Sequence, residues 1–311
     1  KKRMIKYQEK EERKNDQLFS RQEEGSGDFI SFNQIDLKFS NPEGKPEELS
    51  KEELENKMKA QYSRDEYPWL SDETLKVKDI FLFLHNEILD FVKFIEPTQK
   101  DKELRRSVVE RVKKVVNSVY PDAKVMVFGS CATELNLPGS DIDLLVYNME
   151  VKEGSMITKL SSALCQAEVC KSIEAIKNAK VPIIKLQDKE TLINVDISFN
   201  RTNGIYCVKL VQHLLLKYPE LKPLLLVLKC FLKSRQLNEP YSGGVGSFLL
   251  TIMITCYLQR KYKIEKTDNI DLGKHLIDFL ELFSNQFNYE DVGISIRKGG
   301  FFFSKQKRGW D

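Results

Sequence analysis

The chain has 311 residues, of which 41% are hydrophobic and 31% charged, and this balance excludes the fibrous and membrane-embedded classes of protein. No run approaches the roughly 18 apolar residues of a spanning helix, and the start, KKRMIKYQEKEERK, lacks the apolar core of a signal peptide, so we expect no membrane association. A net charge of only +3 and six cysteines without a CxxC pair argue against a strongly basic nucleic-acid binder and a disulfide or zinc scaffold.

Residues 1 to 66 are dense in Lys, Glu, Asp, Gln and Ser, with a Gly-Ser-Gly break at 25 to 27. This composition lacks a sustained apolar stripe, so it predicts a flexible or partner-binding arm. Apolar residues between Phe29 and Phe39 could dock as an extended segment, and a plain linker is the alternative.

Two helices are predicted next. Apolar residues recur at helical spacing from Ile80 to Phe94, ahead of Pro97, and a second periodic segment covers 101 to 118. We expect the first helix, within 67 to 100, to pack with helices much later in the chain.

Short apolar strands follow, predicted at 124 to 128, 143 to 147, 181 to 186 and 193 to 199, with a helix-like stretch between 156 and 178. Strands with helical cover predict an α+β domain at 101 to 205. Helical patterns at 206 to 217, 219 to 236, 246 to 262 and 271 to 286 then predict an all-helical second domain at 206 to 311.

Chemistry is concentrated in VFGSCATELNLPGSDIDLLVY. Asp141 and Asp143 are two residues apart in a strand, and the period of two places both carboxylates on one face. Such close carboxylates repel each other unless a cation lies between them, which favours Mg²⁺ or Mn²⁺. Asp196, on the polar face of the later strand, becomes a third carboxylate if the two strands pair, and three can hold two metal ions. Ordinary turn chemistry is the alternative for Gly-Ser-Asp.

Gly129 and Ser130 follow the first strand, ten residues before Asp141. Backbone N–H groups at such a turn can meet a triphosphate, and glycine permits close approach of the phosphates. The Gly-Ser pair is informative only together with the carboxylates.

This combination resembles the nucleotidyltransferases of the DNA polymerase β superfamily. More narrowly, the chain from Tyr67 to Asp311 resembles the nuclear, TRAMP-type noncanonical poly(A) RNA polymerases with a PAP-associated domain. The resemblance rests on the segments LPGSDIDL, VPIIKLQD, VDISFNRTNG, LLLVLKCFLKSRQLNE, YSGGVGSF and LIDFLELFSNQFNY. It implies a nucleotidyltransferase fold with a mixed sheet, followed by a helical central domain.

The resemblance also implies nucleotide contacts beyond the carboxylates. Gly129 and Ser130 would hold the triphosphate, and Asn203 would contact the ribose. The remaining contacts are two lysines and a serine that would bind phosphates and a tyrosine that would stack on the base: Lys229, Lys233, Ser247 and Tyr241. The purely structural alternatives are a solvated helix face for the two lysines and an N-terminal helix cap for the serine. For Asn203 and Tyr241 the alternative is turn formation.

The implied activity is template-independent addition of AMP from ATP to RNA 3′ ends by a two-metal mechanism, in nuclear RNA surveillance and decay. Three alternatives stay open, namely a uridylyltransferase, a catalytically idle scaffold, and a nucleotidyltransferase that modifies a small molecule. The implied partners are a zinc-knuckle RNA-binding protein on the helical domain and an RNA helicase reached through residues 1 to 66. In the family, an acidic-Pro and Asn segment that recognises the base follows the position of Asp311.

Overall fold

The computed structural model describes residues 67–148, 153–177, 181–200, 203–264 and 271–310. The predicted arm at 1 to 66 lies outside these residues. The described part is α+β, as predicted, with a mixed sheet followed by a helical second half.

The helices are, in chain order, α1 (Ile80–Ile95), α2 (Gln99–Val119), the short α3 (Gly129–Ala132), α4 (Glu153–Gln166), α5 (Asn203–Lys217), α6 (Leu221–Ser234), α7 (Ser247–Ile264) and α8 (Leu272–Glu281). The strands are β1 (Lys124–Phe128), β2 (Ile142–Tyr147), β3 (Cys170–Ile176), β4 (Ile183–Asp188), β5 (Asn194–Phe199), β6 (Val292–Ser295) and β7 (Phe301–Ser304). Single helical turns occupy Thr74–Lys76, Pro240–Ser242, Leu282–Gln286, Arg297–Gly299 and Gln306–Arg308.

The five-stranded sheet has the order β1-β2-β5-β4-β3. Strands β2 and β5 are parallel, and the other neighbouring pairs are antiparallel. One face of the sheet packs against α2 and α4, because every second residue of β2 and β5 is apolar and fully buried there. The opposite face carries the polar residues of the same strands.

A second core forms between α1 and helices α5 to α8. Helix α1 precedes the sheet in the chain but contacts α6 and α8. Gly273 of α8 allows this close approach, since an added Cβ would lie 2.7 Å from the Phe81 carbonyl oxygen. Two leucines from the connection between α3 and β2, Leu135 and Leu137, are also buried in this core.

Two predictions of local structure were wrong. The helix-like stretch at 156 to 178 contains only α4, which ends at Gln166, because Cys170–Ile176 pairs with β4 as an edge strand. The segment CKSIEAI is rich in helix formers, and strand pairing overrides that local preference.

The second half is not all-helical either, because β6 and β7 form an antiparallel hairpin that packs on α7. Each of these strands has four residues, too short for a clear alternating pattern. Within the described ranges, no helix combines the length and the apolarity needed to cross a membrane.

Candidate active site

A row of four side chains crosses the polar face of the sheet. Phe128 of β1 lies opposite Asp143 of β2, Asp143 lies opposite Asp196 of β5, and Asp196 lies opposite Lys185 of β4. Directly opposed residues have Cβ atoms about 5 Å apart, so the two carboxylates and the ammonium group are neighbours. The strands that carry Asp143 and Asp196 therefore pair, which the sequence alone left open.

Asp141 lies just before β2 and completes the group of three carboxylates. Its Oδ1 accepts a hydrogen bond from Asn194 Nδ2 at 3.3 Å. The preceding carbonyl, that of Ser140, accepts from Arg105 Nη2 at 2.7 Å, and the Asp141 carbonyl accepts from Cys131 Sγ at 3.5 Å. Helix α2 and the α3 turn therefore hold the backbone from which this carboxylate projects.

Burial and mutual repulsion both act on the carboxylates. The pKa of Asp143 is raised to about 6, first because the side chain is buried and then because Asp196 and Asp141 lie nearby. Burial also raises the pKa of Asp196, although its hydrogen bond from Lys185 acts in the opposite direction. Ionised together, these groups repel one another, and Lys185 and Lys229 act against that repulsion.

This donor set suits a hard divalent cation, since carboxylate oxygens are the ligands that Mg²⁺ and Mn²⁺ prefer and a cation would relieve the repulsion at Asp143. In the described segments, no three His, Cys, Asp or Glu side chains are grouped closely enough to hold a metal ion as they stand. Asp196 is instead engaged by Lys185, whose Nζ lies 3.1 Å from Oδ2.

Gly129, the first residue of α3, lies directly against this row. Its φ of +63° is in the left-handed region, and an added Cβ would lie 2.1 Å from Asp143 Oδ2. Both facts require glycine here. Ser130 follows it in α3, so the Gly-Ser turn predicted to hold a triphosphate begins beside a carboxylate of the predicted metal site.

Lys229 and Lys233 of α6 reach across to the connection between α3 and β2. Lys229 Nζ donates to the Leu135 carbonyl at 2.5 Å and Lys233 Nζ to the Pro138 carbonyl at 3.4 Å. Burial lowers the pKa of Lys229 to about 8, while the nearby Asp143 acts to raise it. Lys229 is therefore largely buried near Asp143 and does not lie on a solvated helix face, whereas Lys233 is exposed.

The remaining three residues predicted to bind the nucleotide lie on three different elements of the second half of the chain. Tyr241 is fully exposed in the Pro240–Ser242 turn, so its ring contacts none of the carboxylates. Ser247 is exposed at the first position of α7. Asn203 begins α5, and its side chain lies outside what the structure describes.

Sequence reasoning assigned no role to Lys185, Asn194 or Arg105. The alternation in β4 signals that Lys185 points away from the buried Ile184 and Leu186. Its position opposite Asp196 depends on strand register, which that alternation does not specify.

Two family models match the chain. The model for the central palm domain of mitochondrial-like poly(A) RNA polymerases matches residues 84–215, and that for Cid1 family poly A polymerases matches residues 271–311. The first match contains all three carboxylates.

Among curated proteins, poly(A) RNA polymerase CID14 of Cryptococcus neoformans is 39% identical over 264 residues, which cover 82% of this chain and 34% of the relative. The chain spans about a third of the length of the first curated relatives it matches.

Among solved structures, the polymerase core of TRAMP, an RNA surveillance complex, superposes with a TM-score of 0.71 at 35% identity, covering 77% of this chain and 76% of that one. The Cid1 poly(U) polymerase superposes with a TM-score of 0.64 at 22% identity, covering 73% of this chain and 81% of that one, which is a likeness of fold.

Proposed function

Because this chain belongs to the Cid1 family of noncanonical poly(A) RNA polymerases, we propose that it transfers AMP from ATP to the 3′ end of RNA without a template. The observation that carries the proposal is the register that sets Asp143 beside Asp196, with Asp141 before them and Gly129 against Asp143. Three carboxylates on one sheet face, next to a turn that can receive phosphates, suit metal-assisted nucleotidyl transfer.

The residues that would hold Mg²⁺ or Mn²⁺ are Asp141, Asp143 and Asp196. The chemistry that such ions supply is a lower pKa for the attacking RNA 3′ hydroxyl and neutralisation of charge on the triphosphate. In this proposal Asp196 accepts the proton of that hydroxyl, because Asp143 is the more deeply buried of the opposed pair. Attack on the α-phosphate of ATP then releases pyrophosphate.

The nucleotide lies, in this proposal, between the sheet and α6. Gly129 and Ser130 offer backbone N–H groups to the triphosphate, and Lys229 brings a positive charge within reach of Asp143. Lys233 and Ser247 add contacts to the phosphates, and Asn203 contacts the ribose.

The base would stack on the exposed ring of Tyr241. Stacking is tolerant of base identity, so this contact by itself does not choose ATP over UTP. Adenylyl transfer is proposed because the relative at 39% identity and 82% coverage of this chain is named a poly(A) RNA polymerase.

The proposal extends to domains, partners and location. Residues 67 to 100 would act with 206 to 311 as the helical central domain, 101 to 205 as the catalytic domain, and 1 to 66 as the arm that reaches an RNA helicase. A zinc-knuckle RNA-binding protein would dock on the helical domain. Similarity to the TRAMP polymerase core supports a nuclear role in RNA surveillance and decay.

The test is extension of labelled oligo-RNA with Mg²⁺ and each ribonucleoside triphosphate supplied alone. We expect a ladder with ATP that falls at least a hundredfold in rate in Asp141→Asn/Asp143→Asn, because charge stabilisation of the transition state is lost. Glu110→Ala, which removes an exposed carboxylate of α2, should leave the ladder unchanged. A ladder with UTP only would move the chain to the uridylyltransferases. Extension that survives in the double variant would reject the carboxylate assignment.

If no nucleotide gives a ladder, the same assay with a zinc-knuckle partner added separates dependence on that partner from a catalytically idle scaffold. Nucleotidyl transfer to a small molecule without RNA would instead identify the third alternative, a nucleotidyltransferase that modifies a small molecule. Deletion of residues 1 to 66 should abolish capture of the helicase while extension persists.

A further inference from the structure

Lys185 stands at one end of the carboxylate row without a role in the proposed reaction. It lies in the middle of β4, directly opposite Asp196, which is in turn opposite Asp143. Its Nζ is 3.1 Å from Asp196 Oδ2, and 46% of its side chain is exposed, against 24% of that of Asp196. The ammonium group is therefore close enough to neutralise this carboxylate and free enough to move away.

The three carboxylates differ in what already holds them. Asp141 accepts a hydrogen bond from the neutral Asn194 side chain, and Asp143 is influenced by Lys229, whose Nζ is bound to a backbone carbonyl. Asp196 has an ammonium group in direct contact. A divalent cation ligated by Asp196 Oδ2 would come close to the ammonium group that now contacts this oxygen, and the two positive charges would repel each other.

We propose that Lys185 is a positioning residue that serves as the resident counterion of Asp196, and that a divalent cation displaces its ammonium group on binding. The inference rests on the proposed function, because it requires the carboxylate row to be the metal site. In the metal-free protein, Lys185 limits the repulsion within the row and keeps Asp196 aligned with Asp143.

A competing counterion weakens metal binding by the protein alone. Bound triphosphate adds negative charge beside the row and restores the attraction for the cation. Lys185 therefore favours entry of the metal together with the nucleotide over entry in advance of it.

The test is a titration of the metal-free protein with Mn²⁺, followed by the electron paramagnetic resonance signal of the free ion, which requires no turnover. Lys185→Met should tighten Mn²⁺ binding by at least about tenfold, since a unit charge about 5 Å from a divalent cation repels it by roughly that factor even at the dielectric constant of water. Lys185→Arg keeps the charge and should stay within about twofold of the wild type.

Lys189→Met is the matched control. Lys189 follows β4 directly and has a comparable exposure of 55%, but its ammonium group pairs with Glu168 at 2.8 Å. Its substitution should not change Mn²⁺ affinity. Lys185→Met in an Asp196→Asn background should lose most of its effect, because the pair no longer exists.

An unchanged Mn²⁺ affinity in Lys185→Met would overturn the inference, and so would an equal gain in Lys189→Met or in the Asp196→Asn background. Wild-type protein that extends RNA but shows one of these results would retain the proposed function and lose only this inference. Mn²⁺ binding that is absent from both the wild type and Lys185→Met, or insensitive to Asp141→Asn/Asp143→Asn, would reject the metal site of the proposed function and the inference with it.

Discussion

Glycine is required at position 129 for two independent reasons. Its backbone lies in the left-handed region at φ +63°, and the space that a side chain would occupy is taken by the carboxylate of Asp143. Gly139, in the connection that follows, has a similar φ of +71° but nothing within 4 Å of its Cβ position. A comparison of substitutions at these two glycines therefore separates the effect of backbone strain from the effect of a clash with Asp143.

We therefore predict that Gly129→Ala lowers kcat/KM for RNA extension by on the order of a hundredfold, because Asp143 must leave its place in the row. Gly139→Ala bears only the strain of a left-handed alanine, about 1 kcal/mol, and should stay within roughly tenfold of the wild type. Steady-state kinetics of the two variants, with circular dichroism to check folding, measure the difference. Equal losses would show that the clash with Asp143 is unimportant.

Lys229 is a buried lysine whose pKa is lowered to about 8, mainly by burial. Below that pH the side chain carries the charge proposed to bind the triphosphate, and above it the fraction of charged lysine falls about tenfold per pH unit. Lys233 is exposed and does not share this environment.

The resulting prediction is that KM for ATP rises by roughly fivefold between pH 8 and pH 9, as the charged fraction of Lys229 falls from about one half to about one tenth, while Lys229→Arg removes this rise because arginine stays charged. Initial rates at fixed Mg²⁺ across this range provide the measurement. A flat wild-type profile would argue that Lys229 does not bind phosphate as a cation.

At the scale of the element, α2 links local sequence to the site. Thr98 and Asp101 form a capping box at its first turn, with reciprocal bonds between side chains and backbone N–H groups. Further along, Arg105 holds the Ser140 carbonyl, and Arg111 binds the buried Asp188 through two hydrogen bonds of 3.1 and 2.7 Å. The helix thus positions both the start of β2 and the end of β4.

Thr98→Ala is expected to lower the free energy of unfolding by about 1 kcal/mol, because one N–H group of the first turn loses its partner. Thr98→Ser keeps the oxygen and should retain most of that stability. Urea denaturation at pH 7 compares the three proteins. If alanine and serine behave alike, the cap contributes nothing measurable.

At the scale of the whole molecule, two cores are joined by the short connection between α3 and β2. Leu135 and Leu137 leave the sheet side and are each 4% exposed within the helical core. The Leu135 and Pro138 carbonyls accept hydrogen bonds from Lys229 and Lys233, and Gln212 of α5 donates to the Ala132 carbonyl at 3.0 Å. The same connection therefore carries the packing between the cores and the geometry of the site.

Leu135→Ala should cost about 2 to 4 kcal/mol of stability through the lost apolar contacts and the cavity left behind. We also expect it to separate unfolding of the two cores into two transitions in urea. Leu216→Ala, at a position of α5 that is 87% exposed, is the control and should change stability by less than about 0.5 kcal/mol. If Leu135→Ala unfolds in a single transition at the wild-type urea concentration, the role of this connection in joining the two cores would be contradicted.

Much of this protein can be predicted from its sequence, because helical periodicity, strand alternation and turn residues are local properties. The spacing of Asp141 and Asp143 places both on one strand face, and the alternation around Asp196 turns it away from the buried Val195 and Ile197. The same local signals failed at Cys170–Ile176, where pairing with β4 decided the structure.

Only the tertiary structure decided which residues meet. Parallel pairing of β2 with β5 joins segments separated by a helix and two strands, and a shift of one residue would move Asp196 to the other face of the sheet. The contact of Lys185 with Asp196 and the reach of Lys229 to the Leu135 carbonyl depend likewise on register and on packing between the two cores. Sequence patterns predict which face of a strand or helix a side chain lies on. Long-range packing decides which residues of other elements that side chain contacts.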